Sequence, residues 1–411
     1  MNLDIIDNFY EFLALFLLIG SVVIIALKKH LFSFFDFWVF IVLSETIVLT
    51  LFIYLYLNNI IDFSIFSNII LSTVFFLLGL NTFYRKLSFI SFKKEMLIDR
   101  TIHALTFVIV SMYIINTLIS VYLLGIPFIS GIRRTISVYS EMGSGFGIIY
   151  YLDWGLKLLM TAVIAKLYVI NKHTLSLKIL LIFTFCLLIN TGSRLVYLQL
   201  FLFFIYAIHL SNNKFKFKLL PNFVRKGIYI LPFIVLYSFI SAVDEGYESN
   251  VLLAFTKRLV GTAEGPFYYF VGESSEYIND LNILKYHFAH IIPYFGIPTE
   301  NEINLGVNIT KLSNFNFGSK GFGPNPTFYV IGHIILGKFA FIYAFVMGSI
   351  LSFIRYKLIR TSFSIYFLLN ITAYSLIVDG TLFSMSLFYI LIILIPLSFI
   401  IIQGYKPKLN R

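Results

Sequence analysis

Arg133, Arg134, Arg194 and Arg258 stand apart from the clusters that hold most of this chain's lysines and arginines. A guanidinium is permanently charged, and its planar fork of N–H donors matches phosphate or carboxylate oxygens two at a time. Three histidines add groups that can take or give a proton near neutral pH: His287 and His290 in "KYHFAHIIPYFGIPTE", and His333 in "PTFYVIGHIILGKFA". Cations that hold an anionic leaving group, set beside an imidazole, are the parts needed for transfer of a group from a phosphate ester.

Each residue also has a plainer reading. Arg194 sits in "NTGSRLVYLQLFL", between two apolar runs joined by a turn too tight to carry it into bulk water. A snorkelling side chain at a helix end is the alternative. Arg133 and Arg134 precede "MGSGFG", whose glycines let a loop lie close against a ligand or a helix. Arg258 falls off the apolar face of a predicted short amphipathic helix in "SNVLLAFTKRLVGTAEGP", at the level of a lipid head group. His287 and His290, read as i, i+3 on one helical face, either orient a sugar or phosphate oxygen or merely pack. His333 either takes a proton from a hydroxyl, hydrogen-bonds a phosphate, or rests as a satisfied interfacial histidine.

Other chemistry is argued against by what the sequence lacks. There is no GxxxxGK[ST] phosphate loop, no GxGxxG after a strand and no DxD pair, so an activated group must arrive already attached to its carrier. The single cysteine, Cys186, lies inside an apolar run and rules out a disulfide framework. Two histidines without a third ligand at suitable spacing argue against zinc. No cofactor is implied, and the net charge of +11 is not a nucleic-acid signal once it is read by location. Asp153 and Lys157 can satisfy each other at i, i+4. Glu45, in mid-span, reads equally as a functional acid and as a buried structural partner.

The elements that must position these groups are membrane helices. The chain is 411 residues long, 59% hydrophobic and 12% charged, and its apolar runs recur at the length a bilayer demands. We expect an all-α polytopic membrane protein, a single transmembrane domain over 1–411 with about eleven spans. They fall near 9–27, 34–57, 63–84, 103–125, 148–170, 176–190, 193–210, 227–243, 326–350, 362–378 and 382–402. Asp4, Asp7 and Glu11 precede or open the first run with no lysine or arginine, unlike a signal peptide, so that run is expected to be retained. Basic clusters occupy alternate connections, which puts the N-terminus outside and the C-terminus inside. Two long segments then face outward, 127–147 and 244–325, the second expected to carry short amphipathic helices.

In layout and in two short motifs the sequence resembles the bacterial O-antigen and capsule repeat-unit polymerases of the Wzy type, which are related to O-antigen ligases. The motifs are "NTGSR" opening a span at 190–194 and "GFGPNPTFYVIGHIILG" at 321–337, a glycine-rich loop running into a span. The resemblance implies a membrane-embedded, GT-C-like inverting glycosyltransferase in the bacterial cytoplasmic (inner) membrane, its site facing the periplasm or exterior. Its substrate would be a polyprenyl-pyrophosphate-linked oligosaccharide, the growing chain passing to a sugar hydroxyl of an incoming lipid-linked repeat unit. A chain-length regulator and a flippase of the same pathway would be its partners, besides membrane lipid. Arg194 and Arg258 would hold phosphates, with Arg133, Arg134, His287 and His290 contacting pyrophosphate or glycan. His333 would stand where relatives often carry an acid. A ligase, or a flippase for the same lipid-linked sugar, is the alternative.

Overall fold

A computed structural model describes residues 9–31, 36, 38–85, 96–126, 142, 146–171, 263–278, 280–313, 325–358 and 363–404. Among the described residues the regular structure is helix, with no strand. The helices are α1 Phe9–Leu27, α2 Val39–Leu57, α3 Phe63–Asn81, α4 Met96–Leu124, α5 Gly147–Asn171, α6 Glu264–Phe270, α7 Ile283–His287, α8 Glu300–Ile303, α9 Leu305–Leu312, α10 Thr327–Leu336, α11 Ala340–Tyr356, α12 Phe363–Val378 and α13 Gly380–Gly404. By length and composition alone, five stretches among the described residues are long and apolar enough to cross a membrane: Tyr10–His30, Val39–Leu57, Phe63–Asn81, Ile102–Leu124 and Thr327–Tyr356. This is the make-up of an α-helical membrane protein. The expected spans 176–190, 193–210 and 227–243, the amphipathic helix around Arg258, and Arg133, Arg134 and Arg194 lie outside the described residues.

Helix α2 begins at Val39, and just before it Asp36 accepts a hydrogen bond from the Trp38 backbone N–H at 3.1 Å and pairs with Arg355. The run 326–350 is not one rod. It breaks at Gly337, whose φ of +56° lies in the region that favours glycine, and a short 3₁₀ turn over Gly337–Phe339 links α10 to α11. A Cβ placed on Gly332 would stand 3.1 Å from the carbonyl oxygen of Ala340 and 3.3 Å from Tyr343 Cβ. Residues that far apart in sequence cannot meet along a straight helix rising about 1.5 Å per residue, so α10 folds back on α11.

The described residues fall into two compact units. The first takes its members from 1–88, 215–358 and 373–384, the second from 89–214, 359–372 and 385–411. Within the first, α1 packs on α2, α2 on α3, and α3 on α11. The α3–α11 contact is a reciprocal glycine pair: a Cβ on Gly79 would collide with the Phe345 carbonyl oxygen, and one on Gly348 with that of Phe76. Small residues of this kind let membrane helices approach backbone to backbone, where apolar burial alone gives little drive. Helix α6, "EGPFYYF", is buried except at its first residue and packs on α9 and α10.

In the second unit α4 packs on α5, and Asn116 Nδ2 donates to the Ile149 carbonyl at 3.2 Å. Tyr151 stacks on Tyr389, ring centroids 4.9 Å apart. Asp153 and Lys157 form the ion pair that their spacing predicts.

Candidate functional site

His333 is the seventh residue of α10, and its half-buried ring borders a cavity of about 270 Å³. The first turns of α3 supply Ser64, Ser67 and Asn68 to its wall, the end of α6 supplies Phe270, and the 3₁₀ turn after α10 supplies Lys338. The break at Gly337 puts Lys338 there, since a continued helix would not turn the chain back toward α3. Asn68 Nδ2 donates to the Gly337 carbonyl at 3.4 Å and so ties α3 to that turn. The lining thus combines an imidazole, an amine, an amide and two hydroxyls above an apolar floor of Ile65, Leu71 and Phe270.

The ring of His333 is set by α6. Tyr269 Oη lies 3.0 Å from its Nδ1, and Phe270 meets it edge-on with centroids 5.1 Å apart. Burial pushes the phenol of Tyr269 above its ordinary range, so it keeps its proton. Tyr269 can donate to Nδ1, and neutral His333 then carries its hydrogen on Nε2. His333 then offers an N–H to a ligand, as Lys338 and Asn68 offer theirs. An anion suits such a site better than a hydroxyl awaiting deprotonation. Rotating the phenol O–H away would reverse the tautomer and make Nε2 a base.

His287 and His290 lie elsewhere in the same unit and do not line this cavity. The expected shared helical face needs correction. Helix α7, capped by the Asn282 side chain accepting from Leu284 N at 3.0 Å and Lys285 N at 3.1 Å, ends at His287. His290 therefore sits in the turn beyond. His287 Nε2 lies 2.9 Å from Tyr343 Oη. Burial lowers the pKa of both histidines, with the charge of Asp379 working the other way. Asp379 is a helix cap: its Oδ1 accepts from Thr381 N at 3.0 Å, Thr381 Oγ1 at 2.7 Å and Tyr286 Oη at 3.0 Å.

Two further buried polar groups belong to the first unit. Glu45 is fully buried in α2, with Oε2 2.5 Å from Tyr329 Oη; that hydroxyl is also 2.7 Å from Thr73 Oγ1. Arg355 and Asp36 form an ion pair with neither side chain exposed, and Arg355 Nη2 also donates to the His30 carbonyl at 3.1 Å. Among the described residues no group of three or more His, Cys, Asp and Glu is placed to hold a metal ion.

Sequence reasoning named His333 but not the residues around it. Lys338 is not among the candidate cations of the sequence, because only the turn at Gly337 brings it to the cavity. Tyr269, Ser64, Ser67 and Asn68 carry no local signal, because the packing of α3 and α6 brings them to the histidine or to its cavity. No family model, curated protein or solved structure matches this chain.

Proposed function

We propose that this chain is a polymerase of lipid-linked oligosaccharide repeat units, with about eleven spans and a GT-C-like plan, in the bacterial cytoplasmic membrane with its site on the outer face. In the reaction the bond between the sugar's anomeric carbon and the polyprenyl pyrophosphate breaks. A new bond forms from that carbon to a hydroxyl of the incoming repeat unit, inverting the centre, and the hydroxyl's proton passes to solvent. The leaving group is an anion, so the catalyst's main task is to stabilise its charge.

One observation carries this reading: His333, Lys338 and Asn68 gather donors around a single cavity in a membrane-embedded chain that has no nucleotide-binding motif. Lys338 supplies the positive charge, and His333, with Nδ1 engaged by Tyr269, supplies a directed N–H. Arg194 and Arg258, and with them Arg133 and Arg134, remain proposed phosphate holders on the resemblance to the family. His287 and His290 are proposed contacts of the glycan. The implied partners are the polyprenyl-pyrophosphate-linked oligosaccharide, membrane lipid, a chain-length regulator and a flippase.

The test is reconstitution of the full chain in bilayer with purified lipid-linked repeat units, read by glycan length. The wild type should build ladders of repeats, whereas His333→Gln, Arg194→Ala and Arg258→Ala should lose the long chains. No lengthening by a well-folded wild type, beside an active control polymerase, sinks the proposal. Transfer of finished glycan to a different acceptor without lengthening would mark a ligase, and translocation without a new bond a flippase.

A further inference from the structure

We infer that Glu45 is held protonated within the membrane and, through Tyr329, acts as a positioning residue for the short helix that carries His333. The second half of this statement rests on the reading of His333 as a site residue.

The argument is a count of hydrogens. Three contacts run in a line: Glu45 Oε2 to Tyr329 Oη at 2.5 Å, Tyr329 Oη to Thr73 Oγ1 at 2.7 Å, and Thr73 Oγ1 to the Ile69 carbonyl oxygen at 3.0 Å. Each needs a hydrogen between its two oxygens. Tyr329 and Thr73 bring one each, and the Ile69 carbonyl brings none. With Glu45 ionised there are two hydrogens for three contacts, and one pair of oxygens must face each other bare. With a proton on Glu45 every contact is filled in one direction: carboxylic O–H to Tyr329, Tyr329 O–H to Thr73, Thr73 O–H to the carbonyl.

The surroundings agree. Glu45 and Tyr329 are buried, and Glu45 Oε1 has no hydrogen-bond partner among the described residues. The buried ion pair of this unit, Arg355 with Asp36, does not involve it. Among the described residues no cation pairs with Glu45, and a carboxylate served by one hydroxyl is the arrangement that burial punishes most. A neutral acid leaves only a carbonyl-like oxygen short of a partner.

The chain of hydrogens has a mechanical consequence. Helix α10 has ten residues, about 15 Å of rise, too short to cross a bilayer and be held at both surfaces. Tyr329 and His333 are i, i+4 on it, stacked on one side. Tying Tyr329 to α2 through Glu45 and to α3 through Thr73 fixes the rotation of α10 about its axis, and with it the direction of the His333 ring.

The full-length protein in lipid nanodiscs tests both halves. The infrared difference between wild type and Glu45→Gln at neutral pH should contain the carbonyl stretch of a protonated carboxylic acid, shifted in deuterium oxide. A lost carboxylate band in its place overturns the protonation. For the positioning role, the nitrogen resonances of His333 in histidine-labelled protein, assigned by their loss in His333→Gln, should shift in Tyr329→Phe. They should hold in Glu45→Gln, whose amide N–H can donate to Tyr329 from the same place. Tyr329→Phe removes one oxygen and keeps the ring, so an unfolded variant is not the expected obstacle. Unmoved His333 resonances in Tyr329→Phe overturn the positioning. If the resonances behave as stated but His333→Gln still polymerises, the functional reading fails and the inference about Glu45 and α10 stands.

Discussion

Tyr269 Oη and His333 Nδ1 lie 3.0 Å apart and join segments 64 residues distant in the chain. Helix α6 thereby couples the tautomer of an α10 histidine to the direction of one hydrogen bond. A phenol that burial keeps protonated donates to a bare Nδ1 when the ring hydrogen is on Nε2, or accepts from Nδ1–H and leaves Nε2 a base.

Tyr269→Phe removes that donor while keeping the ring that stacks edge-on beside Phe270. The freed imidazole redistributes between tautomers. Loss of one hydrogen bond of about 1.4 kcal/mol from the transition state lowers the rate roughly tenfold. Initial rates of chain elongation should show this drop with thermal stability close to wild type. An unchanged rate would mean that the tautomer does not matter.

Gly79 and Gly348 face each other where α3 meets α11, and a Cβ on Gly348 would collide with the Phe76 carbonyl oxygen and stand 3.0 Å from Leu80 N. Neither neighbour is a flexible side chain that could swing away. Gly348→Ala should therefore destabilise the first unit by about 1–3 kcal/mol, as overpacking of a close contact does. Thermal unfolding in detergent or nanodiscs reads the change, and a melting temperature equal to wild type would contradict the close approach.

Arg355 and Asp36 are paired with no exposure of either side chain, and the guanidinium also lies over the Trp38 ring, 4.8 Å from its centroid. Removing one partner takes the opposite charge away from a buried ion pair. Asp36→Ala should cost about 3–5 kcal/mol, whereas the double replacement Asp36→Ala with Arg355→Met should recover much of the loss, because burying the pair was itself costly. Equal instability of the single and double variants would show that Arg355 is held by its other contacts rather than by Asp36.

Burial lowers the pKa of His287 and His290 below the ordinary value of 6.5. The sign follows by linkage. Above pH 6.5 both rings are neutral in folded and unfolded chains, and their burial costs no charge. As pH falls through 6.5 the unfolded chain takes up protons first, so stability is lost on acidification toward the lower folded values. The unfolding midpoint should fall as pH drops below about 6.5, and the His287→Gln, His290→Gln double variant should flatten this slope. A slope unchanged in the double variant would assign the acid sensitivity to other groups.

How much of this was legible in the sequence depended on whether the deciding contact was local. The first span was predicted at 9–27 and α1 occupies those residues, because an apolar run with a polar edge needs nothing else to end it. The Asp153–Lys157 pair is likewise a one-helix feature. The run 326–350 misled because its hydropathy is continuous, while its backbone turns at one glycine that composition alone does not mark. His333 was picked out for its type and position. Its tautomer, its lysine neighbour and the Glu45–Tyr329–Thr73 line all arise between α2, α3, α6 and α10, and no spacing rule within one segment reports such meetings.

Lys338 offers the sharpest separation of an anion site from a packing cavity. Its side chain is exposed at the cavity wall, whereas His333 beside it is half-buried. The attraction of an exposed lysine for a diphosphate is screened by salt, the Debye length falling from about 30 Å at 0.01 M to about 8 Å at 0.15 M. Binding of inorganic pyrophosphate to the full chain in nanodiscs should therefore weaken with salt. Lys338→Gln should bind more weakly at low salt, by roughly tenfold for about 1.4 kcal/mol of lost Coulomb attraction, and should show a shallower dependence. His333→Gln should lower affinity without changing that dependence, because a neutral N–H donor carries no net charge to screen. Should Lys338→Gln match the wild type in both affinity and slope, the cavity would not be an anion site, and the charge that holds a leaving pyrophosphate would have to come from the arginines alone.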